Sequence, residues 1–197
     1  METLDSLTEK FDPLTDRERL TALEESGLLD SAAEDAFDRL TRLASRLLNA
    51  PVALVSLVTP TRQFFKSALG LPDPWAALCE TPLSHSFCKH VVYTGKPFIV
   101  TNALEDPLVS ANPAIHELGV MAYCGIPIVT SSGYVLGSFA VVDGTPRAWT
   151  LSEVETLTDL AASVITEIEL RARTREAEQR TAQLESFHRE NLLLQQM

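Results

Sequence analysis

Apolar residues recur at helical spacing early in the chain, gather into β-like runs through its middle, and return to helical spacing at its end. Thr15, Ser31 and Thr150 each stand three positions before a glutamate (Glu18, Glu34, Glu153). In this hydroxyl–carboxylate pattern two side chains reciprocally satisfy the free amides of a helix start. The first predicted helix carries Leu20 and Leu23 and stops at Gly27. The second carries Phe37, Leu40, Leu43, Ala44, Leu47 and Leu48 on one stripe and ends before Pro51. The runs Val52-Ala-Leu-Val-Ser-Leu-Val58 and Gln63-Phe-Phe-Lys-Ser-Ala-Leu69 follow, separated by a polar turn, and predict a β-hairpin. A second hairpin is predicted from strands over 121–130 and 134–142, joined across Ser131-Ser132-Gly133.

Between the hairpins, residues 70–120 are punctuated by Pro72, Pro74, Pro82, Pro97, Pro107 and Pro113. Short helices are predicted over 87–93 and 114–118, with a brief strand at Phe98-Ile-Val100. So long an irregular stretch inside a compact domain is usually functional. Residues 151–197 contain neither Gly nor Pro and predict one helix on the order of 70 Å long, at about 1.5 Å per residue. Its first part (Leu157, Leu160, Ala161, Val164, Ile165, Ile168) is apolar enough to pack on a sheet. Beyond it, Leu170, Ala177, Leu184 and Asn191 fall seven residues apart, with Phe187 and Leu194 at the companion positions of a coiled-coil seam. Arg173 and Arg180 interrupt that seam. Glu167–Arg171, Glu169–Arg173, Glu176–Arg180 and Glu185–Arg189 are spaced to pair along the helix.

Composition narrows the function classes. A formal net charge of −11 over 197 residues argues against nucleic acid or an anionic membrane as partner. No apolar run reaches the roughly 20 residues needed to cross a bilayer, and the acidic, polar N-terminus is unlike a signal peptide. Three cysteines without paired spacing suit a reducing cytoplasm.

A set of phrases, in order along the chain, resembles the GAF domain family of small-molecule sensors. They are Ala36-Phe37-Asp38-Arg39-Leu40, Pro51-Val-Ala-Leu-Val-Ser-Leu57, Phe64-Phe-Lys-Ser67, Ser86-Phe87-Cys88, Gly95-Lys-Pro-Phe-Ile-Val100, Glu105-Asp106-Pro107, Asn112-Pro113, Gly125-Ile-Pro-Ile128 and Val135-Leu-Gly-Ser-Phe-Ala-Val-Val-Asp143. The match is similar to the bacterial branch found upstream of histidine kinases, diguanylate cyclases and serine/threonine phosphatases. The resemblance implies an α+β fold: a central antiparallel sheet, helices on one face, a pocket and its lid on the other, and a long C-terminal helix serving as output stalk, commonly in a parallel dimer. It divides the chain into a tail (1–14), the sensor domain (15–169) and a coiled-coil signalling helix (170–197) that ends in pattern, as if before an effector.

The residues richest in chemistry are Leu83-Ser84-His85-Ser86-Phe87-Cys88-Lys89-His90. If Ser84 or Ser86 caps the helix that follows, Cys88 sits in its first turn, where amides and dipole favour a thiolate. A compact buried cysteine is the other reading. Metal chelation is not expected, because Cys88 and His90, two apart on a helix, point to different sides and no C-x-x-C pair supports them. Some GAF relatives attach a bilin through a cysteine immediately before a histidine. Here the pair is Ile115-His116, so no covalent bilin and no other cofactor is expected. The Asn-Lys-Phe-Asp-Glu signature of cyclic-nucleotide-binding relatives is not traceable. One enzyme branch, the free methionine-(R)-sulfoxide reductases, uses three cysteines, but Cys124 lies within a predicted strand and the surroundings of Cys79 do not match.

The residues expected to border the pocket are Trp75, Phe87, Cys88, Asp106, Asn112, His116 and Tyr123. Asp106 and Asn112 precede proline and also suit simple turn chemistry. The sequence thus predicts a non-catalytic cytoplasmic GAF sensor that takes a small ligand or other input and forms a homodimer through its C-terminal helix. A ligand-free dimerisation module and a thiol enzyme of the sulfoxide-reductase kind are the alternatives.

Overall fold

A computed structural model describes residues 12–194, with side chains described as far as 188. Six strands form one antiparallel sheet in the order β3-β2-β1-β6-β5-β4: β1 (Val52–Val58), β2 (Arg62–Leu69), β3 (Glu80–Pro82), β4 (Phe98–Val100), β5 (Ala122–Val129) and β6 (Val135–Asp143). One face is covered by α1 (Arg17–Ser26), α2 (Asp35–Leu48) and the first half of α6 (Leu151–Leu194). The other face is covered by α4 (Cys88–Thr94), α5 (Ala114–Glu117) and their connecting loops. The α+β architecture and the layer order are those expected.

Strand alternation divides the core in two. In β1, Ala53, Val55 and Leu57 face the helix layer, whereas Leu54 and Val58 face the lid side, the period-two pattern of a sheet covered on both faces. On β2 the same alternation turns Phe64 to the helix layer and Phe65 to the lid, before a bulge in the pairing between Val55 and Ser56 skips one residue of β2. Lys66, one position further along, also reaches the helix layer. Its side chain is fully buried, and its ammonium donates to Ser31 Oγ at 2.8 Å, the Ala32 carbonyl at 2.5 Å and the Glu34 carboxylate.

The third of the three predicted capping boxes closes reciprocally: Thr150 N donates to Glu153 Oε2 at 2.7 Å, and Glu153 N donates to Thr150 Oγ1 at 3.3 Å. The first is corrected by one residue. Asp16, not Thr15, caps α1, accepting from the amides of Glu18 and Arg19. The second is overturned: Ser31 Oγ donates to the Leu28 carbonyl in a turn, and α2 begins only at Asp35. There the need to place Glu34 beside Lys66 outweighs the local box. Gly27 and Gly95 end α1 and α4 in left-handed conformations, where a Cβ would be strained. The 70–120 stretch also contains α3 (Trp75–Leu78) and β3, neither of which the sequence pattern announces. Leu14, placed at the end of the expected tail, is 2 % exposed in the lid-side core.

α6 is a single helix from Leu151 to Leu194. Leu157, Ala161, Val164 and Ile168 are buried against the sheet and its neighbouring helices. Further along, Leu170, Leu184 and Phe187 are 59 %, 70 % and 67 % exposed, and Ala177 is exposed as well. The side chains of Asn191 and Leu194 lie outside the described residues. Two arginines fasten the helix where it leaves the domain. Arg171, expected to pair with Glu167 along the helix, instead meets Glu34. Arg175 donates to the Ser26 carbonyl at 3.4 Å, its guanidinium lying over Gly27 where any side chain would collide.

Candidate functional site

On the lid side, α4 packs across β1, β5 and β6. Ser86 prepares its start: its hydroxyl accepts from Lys89 N at 3.0 Å and donates to the Gln63 carboxamide on β2. This fixes Phe87 and Cys88 against the sheet, where both are buried. Tyr123 rises from β5 to meet them. Its hydroxyl donates to Cys88 Sγ at 3.3 Å and lies 3.1 Å from Ser138 Oγ on β6, and its ring centre is 5.5 Å from that of Phe87. Gly125, two residues along the strand, makes room for this ring: a Cβ there would fall 2.1 Å from the tyrosine oxygen.

Above this floor lies a cavity of about 30 Å³ open to water, bordered among others by Leu54, Gln63, Phe65, Thr81, Cys88 and Tyr123. That volume admits one or two water molecules, whereas sites for organic ligands run to roughly 300–1,000 Å³. The ligand-sized hollow expected from the sequence is therefore nearly filled by its own side chains. Two hydroxyls on this face, Thr81 Oγ1 beside the cavity and Ser56 Oγ opposite Ser138 in the strand register, are buried without a partner among the described residues.

The seven anticipated pocket residues separate into two groups. Phe87, Cys88 and Tyr123 border the cavity. Trp75 lies half-buried on α3, its ring centre 5.3 Å from that of His85. Asp106 Oδ1 and Asn112 Oδ1 each accept an amide two residues ahead, from Leu108 and Ala114 at 2.9 Å, which is turn chemistry. His116 is exposed on α5, next to buried Ile115. His85 belongs to the polar stretch 83–90 but is not among the expected pocket residues. It borders the cavity, and its Nε2 stands 3.1 Å from Glu117 Oε2, so that Trp75, His85 and Glu117 form a strap from α3 to α5. The density of polar residues around it was the available signal.

Burial decides the cysteine chemistry. It pushes the Cys88 thiol up from its ordinary value, and the hydroxyls of Ser138 and Tyr123 only partly offset this. Desolvation likewise raises the Tyr123 phenol well above its usual range. The thiolate contemplated for the first turn of α4 is thus replaced by a neutral thiol, because loss of water outweighs a seven-residue helix dipole. Cys124 lies in the opposite, helix-side core, and Cys79 is exposed on the lid loops. The three sulfurs therefore do not line one pocket, contrary to what a thiol reductase would need. A disulfide-exchange reagent at pH 8 is expected to label one thiol per native chain within seconds, with Cys79→Ser removing that phase. A second fast thiol would show that Cys88 is reachable.

A sheet with helices on one face, a lidded floor on the other and a continuous exit helix defines a sensor domain. The GAF domain family model matches residues 32–168, and the chain belongs to this family. Over 136 residues it is 31 % identical to a cyclic di-GMP phosphodiesterase of Pseudomonas aeruginosa, covering 68 % of this chain and 22 % of that protein. The chain thus spans about a fifth of the length of that curated relative. Among solved structures, a domain of a putative two-component sensor histidine kinase from Sinorhizobium meliloti superposes with a TM-score of 0.59 at 21 % identity, covering 76 % of this chain and 99 % of that one. The blue-light-absorbing PixJ GAF domain of Thermosynechococcus elongatus gives 0.55 at 17 % identity, covering 87 % and 98 %. Among the described residues no helix is long and apolar enough to cross a membrane.

Proposed function

We propose that this GAF domain is a non-catalytic cytoplasmic input module that joins two chains through α6 and couples the lid side of its sheet to that joint. The observation that carries the reading is α6 itself. One unbroken helix begins buried against the sheet and continues into Leu170, Leu184 and Phe187, which the domain leaves uncovered. A solitary helix of this kind gains little from exposed leucines, whereas pairing with a second copy buries them. The likeness to a cyclic di-GMP phosphodiesterase supports an effector of the cyclic-dinucleotide signalling class.

A mechanical route is built into the side chains. Gln63 and Phe65 border the cavity, and the next residue, Lys66, turns to the helix layer and shares Glu34 with Arg171 at the base of the stalk. An input that parts the Trp75–His85–Glu117 strap and displaces β2 alters how Glu34 divides between two cations, and with it the seating of α6. A ligand acts here only through its preference for the opened arrangement. The nearly filled cavity favours a second reading, a ligand-free dimerisation platform. Native mass spectrometry of protein from its own host separates the two, since a retained small molecule excludes the platform.

The test of the joint is sedimentation of the whole chain. Leu184→Asp is expected to raise the dimer dissociation constant at least tenfold, because a charge would replace an apolar residue in the seam. A wild-type chain that remains monomeric at about 200 µM would overturn the proposal.

A further inference from the structure

The cavity between sheet and lid meets no full charge, although 22 % of the chain is charged residues. Among the described residues no lysine, arginine, aspartate or glutamate borders it. His85 does, but both of its ring nitrogens are taken, Nδ1 by Ser84 Oγ at 3.0 Å and Nε2 by Glu117 Oε2 at 3.1 Å. Apolar side chains line both the sheet (Val52, Leu54, Phe65) and the roof (Leu71, Ala114, Leu118). A phosphate or carboxylate placed here would give up its water beside no cation, a cost that nothing in the lining repays.

One side of the cavity is polar and unfinished. Thr81 on β3 is 1 % exposed, and its Oγ1 has no partner among the described residues. Gln63 on β2 stands opposite it in the strand register, and side chains so opposed lie about 5 Å apart on one face. Ser86 already donates to the Gln63 carboxamide oxygen, which leaves Gln63 its amide hydrogens to offer. The two residues therefore present donors and an acceptor to a single neutral group, an alcohol or an amide. A buried hydroxyl without a partner is a standing cost that such a group removes.

The floor is fixed, since Phe87, Cys88 and Tyr123 are all buried. The roof is not. It hangs from α3 and α5, helices of four residues each, strapped together through Trp75, His85 and the half-exposed side chain of Glu117. Leu71 and Leu118 are themselves only half-buried. We infer that the cavity is a site for an uncharged, mainly apolar small molecule bearing one hydroxyl or amide, with Thr81 and Gln63 reading that group and the strap parting to admit it. The inference rests on the input-module reading above and names the class of its ligand. It sets this chain apart from relatives that take a cyclic nucleotide, whose phosphate the lining does not match.

The probes are benzyl alcohol, benzoate and toluene, which share a ring and differ in one group. Binding to the full chain is followed at neutral pH by amide-resolved NMR, with shifts at Gln63, Thr81 and Cys88 locating the site. Benzyl alcohol is expected to saturate with a Kd of about 1 mM, the affinity its few heavy atoms supply, and benzoate to bind at least tenfold more weakly. Glu117→Ala is expected to tighten both neutral probes about threefold, because the closed strap lowers apparent affinity. Thr81→Val keeps the side-chain shape, and is expected to weaken benzyl alcohol at least fivefold while leaving toluene within twofold. Far-UV circular dichroism verifies that each variant is folded.

Benzoate binding as tightly as benzyl alcohol would overturn the inference, since the lining would then tolerate charge. Equal effects of Thr81→Val on benzyl alcohol and toluene also overturn it, since Thr81 would not be reading the hydroxyl. So does the absence of saturable binding in both wild type and Glu117→Ala, which would leave a cavity for water alone. None of these outcomes bears on the stalk dimer, which the sedimentation of Leu184→Asp tests separately. A monomeric wild type that still binds benzyl alcohol through Thr81 would remove the joint and leave the site standing.

Discussion

Arg19→Met is expected to lower the free energy of unfolding by about 3–5 kcal/mol, the range for stripping one partner from a buried charged network. Arg19 is 3 % exposed although it sits on a short surface helix. Its guanidinium donates to four carbonyls: Pro13 at 2.7 Å, Leu14 at 3.0 Å, Val58 at 3.0 Å and Val135 at 3.2 Å. It thus ties the approach to α1, the end of β1 and the start of β6 with one planar group. Burial lowers its pKa, while Asp16 and Asp12 pull it back up. Methionine fills much of the space but withdraws a donor from each of the four carbonyls. Arg19→Lys would rescue only in part, because one ammonium cannot span carbonyls set around a planar fork. Urea unfolding monitored by tryptophan fluorescence measures the change. A loss below about 1 kcal/mol would show that water replaces the guanidinium at little cost.

Arg19 also shows what the sequence concealed. Helical spacing placed Leu20 and Leu23 on the inner face of α1, and Leu23 is indeed buried. A charged neighbour buried with it has no signature in hydrophobic periodicity, because its partners are backbone carbonyls from distant parts of the chain. The strands were legible for the opposite reason. Residues such as Val55 and Leu57 are dictated by packing on a face, so alternation reports them directly. At the positions of the predicted seam the domain itself leaves Leu170, Leu184 and Phe187 uncovered. The expected pairing of Glu167 with Arg171 was not legible, since Glu34, distant in sequence, takes the arginine.

The site was legible where residues pack and obscure where they only turn the chain. Phe87, Cys88 and Tyr123 were singled out and border the cavity together. Asp106 and Asn112 carry equally polar side chains, yet each is occupied by an amide two residues away. One-dimensional reading weighs a carboxylate the same in either role. His85 stands in the polar stretch 83–90 but was not placed at the pocket, because its partners, Trp75 and Glu117, lie on either side of it at sequence distances that no local motif spans. Cavity volume was also inaccessible from sequence, since it depends on whether Phe65, Phe87 and Tyr123 interdigitate or stand apart.

The helix-side core predicts an alkaline weakness. Burial pushes the Cys124 thiol from 9.0 up to about 12, with Glu153 adding to the rise and Arg147 opposing it. Below pH 9 the thiol is protonated whether the chain is folded or not, so it contributes no pH dependence. Between pH 9 and about 12 the unfolded chain releases this proton and the folded chain keeps it. Stability then falls by about 1.4 kcal/mol per pH unit from this one group. Above the folded value both states are ionised and the loss levels off. Cys124→Val removes the titration while keeping an apolar side chain of similar size, in contact with the same helix-side cluster. From pH 9 to 11 the variant is therefore expected to lose about 2 kcal/mol less than the wild type in matched urea titrations, since the unfolded thiol is only half ionised at pH 9, with Cys124→Ala serving as a control for overfilling. Lysines and exposed tyrosines titrate in both proteins and cancel in the difference. Parallel stability curves for wild type and variant would mean that hydroxide-driven ionisation finds water beside Cys124 in the folded state, and that the seal between α6 and β5 is looser than its packing implies.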